Sequence, residues 1–450
     1  MGNRWLEGNF APVMDEVELV GLEVEGAIPP SLTGRYLRTG PNPFAADPDN
    51  HHWFVGNGMV HGVELRDGAA NWYRNRWVRG PAASEFLGEV PVPRCDGGLF
   101  PGDGNTNVLA HGGRILALEE LSCPYELDRD LRTIGQYDFG GPLPVGTNAH
   151  PKIDPATGEM HLMGYSFADD LLRYMVIDRD GVLQSTREIR MGASVMVHDT
   201  ALTATRVLAL DLPVVFDLEL AARGVRLPYR WDADHRARVG LVPRGGAILG
   251  PGDDVVWIDV DPCYVFHPLN AYDEGDAVVV DVVRHPSMFA EVQDGPMDGA
   301  PWMERWVLDP VRGCSTTVLD ERAQEFPRID ERFTGTRHRI GWAAGASIAA
   351  LGSTDASVEG SVLRYDMDAG TVAATGLGRG RVGGEFVFVP GSDDAAEGEG
   401  WLLGYVNDLS TATAELLVLD ATSMATEARV RIPRRIPAGF HGNWVPDRAL

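Results

Sequence analysis

The 450-residue chain carries 39 Lys and Arg against 65 Asp and Glu, a formal charge of −26, which opposes attachment to nucleic-acid backbones or anionic membrane surfaces. Its 53 Gly and 30 Pro lie between short apolar runs along the whole length. This predicts many turns and short strands, arranged as one closed β architecture with residues 1–450 as a single domain.

The first eight residues, Met-Gly-Asn-Arg-Trp-Leu-Glu-Gly, lack the basic region and apolar core of a secretion signal. Leu6 stands where a myristoylation motif wants Ser or Thr. Further on, an apolar strand followed by an Asp-led turn recurs at Val63-Glu-Leu-Arg-Asp67-Gly68, Tyr125-Glu-Leu-Asp128, Tyr174-Met-Val-Ile-Asp178, Trp306-Val-Leu-Asp309, Leu363-Arg-Tyr-Asp366 and Leu417-Val-Leu-Asp420. Asp and Gly supply the backbone conformations of hairpin turns. These aspartates lie 61, 50, 131, 57 and 54 residues apart, so the doubled gap predicts one hidden unit. Residues 236–244, a strand pattern without an Asp turn, are its expected place. Seven such units suit the four-stranded blades of a propeller, whose axis lets side chains distant in sequence meet.

Residues 207–216 and 277–283 are the most apolar stretches, but Asp211 and Asp281 interrupt them and both are too short to cross a bilayer. Residues 218–231 mix apolar and basic side chains and read as a solvated helix followed by a turn. Cys95, Cys123, Cys263 and Cys314 form no C-x-x-C pair, which predicts a reduced, cytoplasmic protein rather than a disulfide framework or a zinc site. Gly378-Arg-Gly380-Arg-Val-Gly383 has the spacing of a dinucleotide fingerprint, yet the strand pattern Glu385-Phe-Val-Phe-Val follows where a helix is required. It reads as a turn between strands.

Four histidines stand in distinctive settings: Thr147-Asn-Ala-His150-Pro, Met196-Val-His198-Asp199, Val265-Phe-His267-Pro and Gly439-Phe-His441-Gly. Imidazole suits iron, zinc, copper or nickel. Their intervals of 48, 69 and 174 residues match no local metal motif, so spacing by itself favours a structural role for each.

Ordered motifs run nearly end to end and together resemble the carotenoid cleavage oxygenase family: Gly26-Ala-Ile-Pro-Pro-Ser-Leu-Thr-Gly-Arg-Tyr-Leu-Arg-Thr-Gly-Pro-Asn-Pro43, Trp53-Phe-Val-Gly-Asn-Gly-Met-Val-His-Gly62, Asn105-Thr-Asn107, Ala149-His-Pro-Lys152, Glu325-Phe-Pro-Arg-Ile-Asp330, Glu385-Phe-Val-Phe-Val-Pro390 and Phe440-His-Gly442. The resemblance implies an all-β, seven-bladed propeller capped by a helical or loop dome, with His150, His198, His267 and His441 holding one Fe(II) on its axis. The other eight histidines are then structural or exposed. Four neutral imidazoles leave two positions of a six-coordinate iron open, with no carboxylate ligand required. The family's three glutamates behind the imidazoles fall on Glu120, Glu325 and Glu385, where they fix tautomer and orientation. Thr106 matches a position whose methyl restricts one face of the iron.

The implied reaction splits a conjugated C=C bond with O2 into two carbonyl fragments. Members that cleave phenolic stilbenes carry a Lys immediately before the first of the three glutamates; Glu119 stands there, and as an anion it is a poor partner for a phenolate. A carotenoid or apocarotenoid is therefore expected, held by Phe54, Phe266, Trp302 and Phe440. The alternatives are a stilbenoid or phenylpropenoid oxygenase and a propeller scaffold without catalysis. A lipophilic substrate implies peripheral membrane contact at the tunnel mouth, while no nucleic acid or obligate protein partner is expected.

Overall fold

In the computed structural model, which describes residues 2–95, 100–244, 254–296, 298–346 and 348–450, antiparallel sheets are arranged as the seven blades of a β-propeller. Blade one joins strands Gly34–Pro41, Gly58–Arg66 and Ala69–Trp77 to Gly442–Pro446, which lies against the axis. Blades two and three span residues 107–136 and 152–190, blades five and six residues 264–320 and 325–376. Blade seven runs from residue 381 to 432 and takes Val24–Gly26 on its outer edge. The ring is thus closed by strands exchanged between the two ends of the chain, which removes the edges an open sheet would expose.

Blade four is the hidden unit. Arg238–Pro243 pairs with Arg206–Asp211 on one side and Val256–Asp259 on the other. Residues 199–203 run along its axial side through Leu202 opposite Val207 and the Leu208 amide bonded to the Ala201 carbonyl. The Asp turns of the other six blades all connect the third and fourth strands counted from the axis. In blade four that connection begins at residue 244, and most of it lies outside the described residues.

The Asp residues act in these turns mainly through their carboxylates, beyond the backbone conformations expected of them. The Asp128 carboxylate accepts the amides of Asp130 and Arg132, both at 2.8 Å. Asp178 takes those of Asp180 and Val182, and Asp309 those of Val311 and Arg312. Asp67 and Gly68, at φ +52° and +73°, form a two-residue turn that only such residues enter cheaply.

Apolar clusters lie between neighbouring blades, for example Tyr36, Val63, Leu403 and Val418 between blades one and seven, or Leu116, Leu118, Leu162 and Met175 between two and three. Strands facing a neighbour on both sides are buried on both faces, so Ala277–His285 reads as an almost continuous valine run. Its one carboxylate, Asp281, is buried and satisfied by the Arg305 guanidinium at 2.7 and 2.8 Å.

Helix is scarce. Pro81–Leu87 is the longest described, at seven residues, so the dome is built mainly of loops. Residues 218–231 depart from a freely solvated helix and turn: Leu218–Ala222 leads into Tyr229–Trp231, which pairs back on Val214–Phe216, and the inner side of this excursion overlies a cavity. Gly378 and Gly380 form the link between Thr371–Gly376 and Arg381–Gly383, with no helix following. Among the described residues, no helix is long and apolar enough to cross a membrane.

Candidate metal centre and its cavity

Each blade delivers one polar side chain at the axial end of its innermost strand. Blade two presents Thr106, blades three to five His150, His198 and His267, blades six and seven Glu325 and Glu385, and blade one His441. One ligand nitrogen from each of the four histidines lies within 4.8 Å of the other three. Their ring centroids stand 4.4 to 5.2 Å apart where rings touch.

Local backbone irregularities aim these groups. The pairing of Tyr264–Glu274 with its neighbour slips on either side of Pro268, a bulge that turns His267 toward the axis. In blade six the register shifts between Glu325 and Arg328, and Phe326 is left at φ +56°. That strained residue donates its amide to Glu325 Oε2 at 2.8 Å, so the kink and the carboxylate stabilise each other.

Three of the imidazoles are held from behind. Nδ1 of His267 donates to Glu325 at 2.6 Å and Nδ1 of His441 to Glu385 at 2.9 Å, while Nδ1 of His198 bonds Glu120. These bonds leave Nε2 of each ring for the common point. Each glutamate has a different outer partner: the Tyr165 hydroxyl on Glu120, His285 Nε2 on Glu325 at 2.7 Å, and on Glu385 the Gly442 amide at 2.9 Å with Arg328 at 3.3 Å.

The electrostatics suit a cation. Burial, reinforced by the neighbouring imidazoles, holds His150 well below its ordinary value. Burial also pushes His267 down to about 4 in spite of Glu325, and lowers His441. These rings keep their lone pairs at neutral pH. Burial alone would raise the glutamates, but His267 and His285 hold Glu325 well below the usual carboxylate range, and Arg328 with His441 holds Glu385 at about 2. Among the described residues, Nε2 of His150 and of His267 are buried without a hydrogen-bond partner, a cost that a bound metal ion removes.

Above the histidines opens a cavity of about 860 Å³. Phe54, Phe266 and Phe440 line it, together with Thr106, Glu119, His198, His267 and His441. Phe54 meets Phe266 edge-on at 5.5 Å and Phe440 at 5.9 Å. Thr106 gives its hydroxyl proton to Asn105 Oδ1 at 2.7 Å. Asn105 is fixed in turn by donating to the carbonyls of Gly56 and Phe54.

Two readings change. Trp302 is not among the cavity residues; it lies on the third strand of blade five, where the Arg284 guanidinium stacks 4.8 Å from its ring. Glu119 is not a simple anion, because burial and the adjacent Asp103 push it up to about 8. Sequence reasoning also passed over Tyr165, His285 and Arg328, which are separated from their glutamates by 40 to 57 residues; Arg328 lies within the Glu325–Asp330 motif, but nothing there assigns it to Glu385.

The retinal pigment epithelial membrane protein family model, RPE65, matches residues 10–446. A carotenoid cleavage oxygenase of Mycobacterium tuberculosis is 42% identical across 99% of this chain and 98% of its own. The chain belongs to the carotenoid cleavage oxygenase family. Its fold is similar to that of a Pseudomonas brassicacearum lignostilbene dioxygenase, with a TM-score of 0.86 at 27% identity, and to a cobalt-substituted Synechocystis ACO, with a TM-score of 0.83 at 26% identity, each covering 98% of both chains. The carotenoid cleavage oxygenase fold thus comes with a four-histidine site able to hold a single metal ion.

Proposed function

We propose that the protein, acting as one domain, is an Fe(II)-dependent oxygenase that splits a conjugated C=C bond of a carotenoid or apocarotenoid with one O2. The carrying observation is the convergence of four imidazoles, three braced by carboxylates, beneath an aromatic cavity. His150, His198, His267 and His441 would hold the iron, and Glu120, Glu325 and Glu385 would orient three of them. Iron, when bound, supplies the activation of dioxygen. The alkene loses both bonds of its C=C, each carbon gains one oxygen atom, and the four electrons come from the alkene itself, so no reductant is needed.

The chain's own side chains place the bond to be cut. Phe54, Phe266 and Phe440 flank a flat conjugated chain and exclude water from the reacting carbons. Because the Thr106 hydroxyl is engaged by Asn105, its methyl is left to narrow the approach beside the imidazoles. Phe100 and Leu218, which line the cavity, are 48% and 76% exposed, which supports peripheral contact of this cytoplasmic protein with a membrane to collect a lipophilic substrate.

The test is an aerobic incubation of iron-loaded protein with an apocarotenal, resveratrol and isoeugenol in parallel, with carbonyl products identified by mass spectrometry. Cleavage of the apocarotenal, with about one iron per chain in wild type and none in His198→Ala, supports the reading. Turnover of the phenolic alkenes alone overturns the substrate class, and an iron-free, inactive reconstituted protein overturns the enzyme.

A further inference from the structure

Among the described residues, two carboxyl side chains of the apolar cavity serve none of the four histidines: Asp103, whose Oδ1 is taken by the Asn57 amide, and Glu119. Oε2 of Glu119 accepts two amides of the neighbouring loop, that of Asp103 and that of Gly104 at 3.0 Å. Gly102 and Gly104, at φ +68° and +64°, give the loop the curvature that turns both amides to one oxygen. Among the described residues Oε1 has no hydrogen-bond partner, and no Lys or Arg forms an ion pair with Glu119.

We propose that Glu119 is a specificity-determining residue: its free oxygen carries a proton and donates a hydrogen bond to an uncharged oxygen substituent, a carbonyl or a hydroxyl, on the conjugated substrate. With Oε2 occupied by two donors, Oε1 is the oxygen left for the proton. Asp103 next to it, itself raised by burial, disfavours a second negative charge, and Glu119 is pushed up to about 8. The other titratable and charged groups around it are Glu120, Tyr125 and, at the cavity mouth, Arg226. The Tyr125 hydroxyl donates to the Pro101 carbonyl and Glu120 is taken by His198 and Tyr165, so neither competes for Oε1. A polyene with purely hydrocarbon ends would leave this donor unpaired in an apolar chamber, a cost that discriminates against it.

This inference rests on the alkene-cleaving reading, and binding separates the two. Polyenes of equal length ending in an aldehyde, an alcohol or a hydrocarbon are titrated without oxygen into metal-loaded wild type, Glu119→Gln and Glu119→Leu, and KM and kcat are then measured in air. Wild type is expected to bind the oxygenated polyenes about 3- to 10-fold more tightly than the hydrocarbon, the yield of one neutral hydrogen bond. Glu119→Leu should erase that preference through KM, and Glu119→Gln, whose amide can still donate, should keep most of it. The wild-type preference for oxygenated polyenes should also weaken as pH rises through about 8. The aldehyde and alcohol arms tell which oxygen is read. Equal preference in wild type and Glu119→Leu, with both proteins folded by circular dichroism, overturns the proposal. Intact preference in binding without cleavage of any polyene overturns the enzymatic reading and leaves this one standing.

Discussion

Glu325 accepts three hydrogen bonds, from His267 Nδ1, His285 Nε2 and the Phe326 amide, at 2.6 to 2.8 Å, and it is buried. Glu325→Gln keeps the shape but changes the count, since an amide oxygen has two acceptor sites and the amide nitrogen none. At least one buried N–H loses its partner, at about 1–3 kcal/mol. The charge behind His267 is lost as well. Replacing a carboxylate behind a metal-bound imidazole lowers metal affinity about 10- to 100-fold, equivalent to about 1.4–2.7 kcal/mol. Ferrous iron affinity measured by chelator competition should fall by that factor, and the metal-free melting temperature should fall independently of it. An iron affinity within about twofold of wild type would show that His267 does not depend on Glu325, and the account of the site would fail.

Acid should destabilise the metal-free protein. His52, His161 and His267 are pushed down to about 4 by burial, whereas in the unfolded chain they titrate near 6.5. The unfolded state therefore binds protons that the fold refuses, and stability is lost as pH drops from about 6.5 to 4. Glu119, and Asp103 beside it, act oppositely, Glu119 over roughly 4.5 to 8, but the buried histidines, His150 and His441 among them, outnumber them. Thermal melts across this range should show a falling midpoint, and a flat or rising one contradicts the burial argument. Asn105→Ala removes the acceptor of the Thr106 hydroxyl and two donors to the Phe54 and Gly56 carbonyls; a loss of about 2–4 kcal/mol is expected in denaturant titration. Deleting residues 442–450 removes the axial strand of blade one, and soluble cooperative folding should be lost, as read by circular dichroism and gel filtration.

The blade count was legible because Asp repeats at the same place in six blades, accepting turn amides in five of them and entering a positive-φ two-residue turn at Asp67 in the sixth. Blade four escaped that signal, since the connection after Arg238–Pro243 is not a short Asp turn, and only the doubled gap betrayed it. The four histidines and three glutamates were visible through motif resemblance, not spacing: a closed ring makes sequence separation uninformative about distance. Trp302 was misplaced for a related reason. An aromatic residue in a strand looks the same whether its strand lines the axis or stands two strands out, and the Arg284 partner that marks the outer position is fixed only by pairing register. The outer partners Tyr165, His285 and Arg328 come from different blades; nothing local distinguishes Tyr165 and His285 from other buried polar residues, and the motif around Arg328 does not reveal that its partner is Glu385 on the next blade.

His441 immediately precedes the strand that locks blade one. During synthesis the first three imidazoles emerge on blades whose ring is still open, and the fourth arrives with the segment that shuts it. Circularisation and completion of the cage are therefore one event. Until that segment is in place the chain, however much of its β-sheet has formed, offers a metal ion no finished nest.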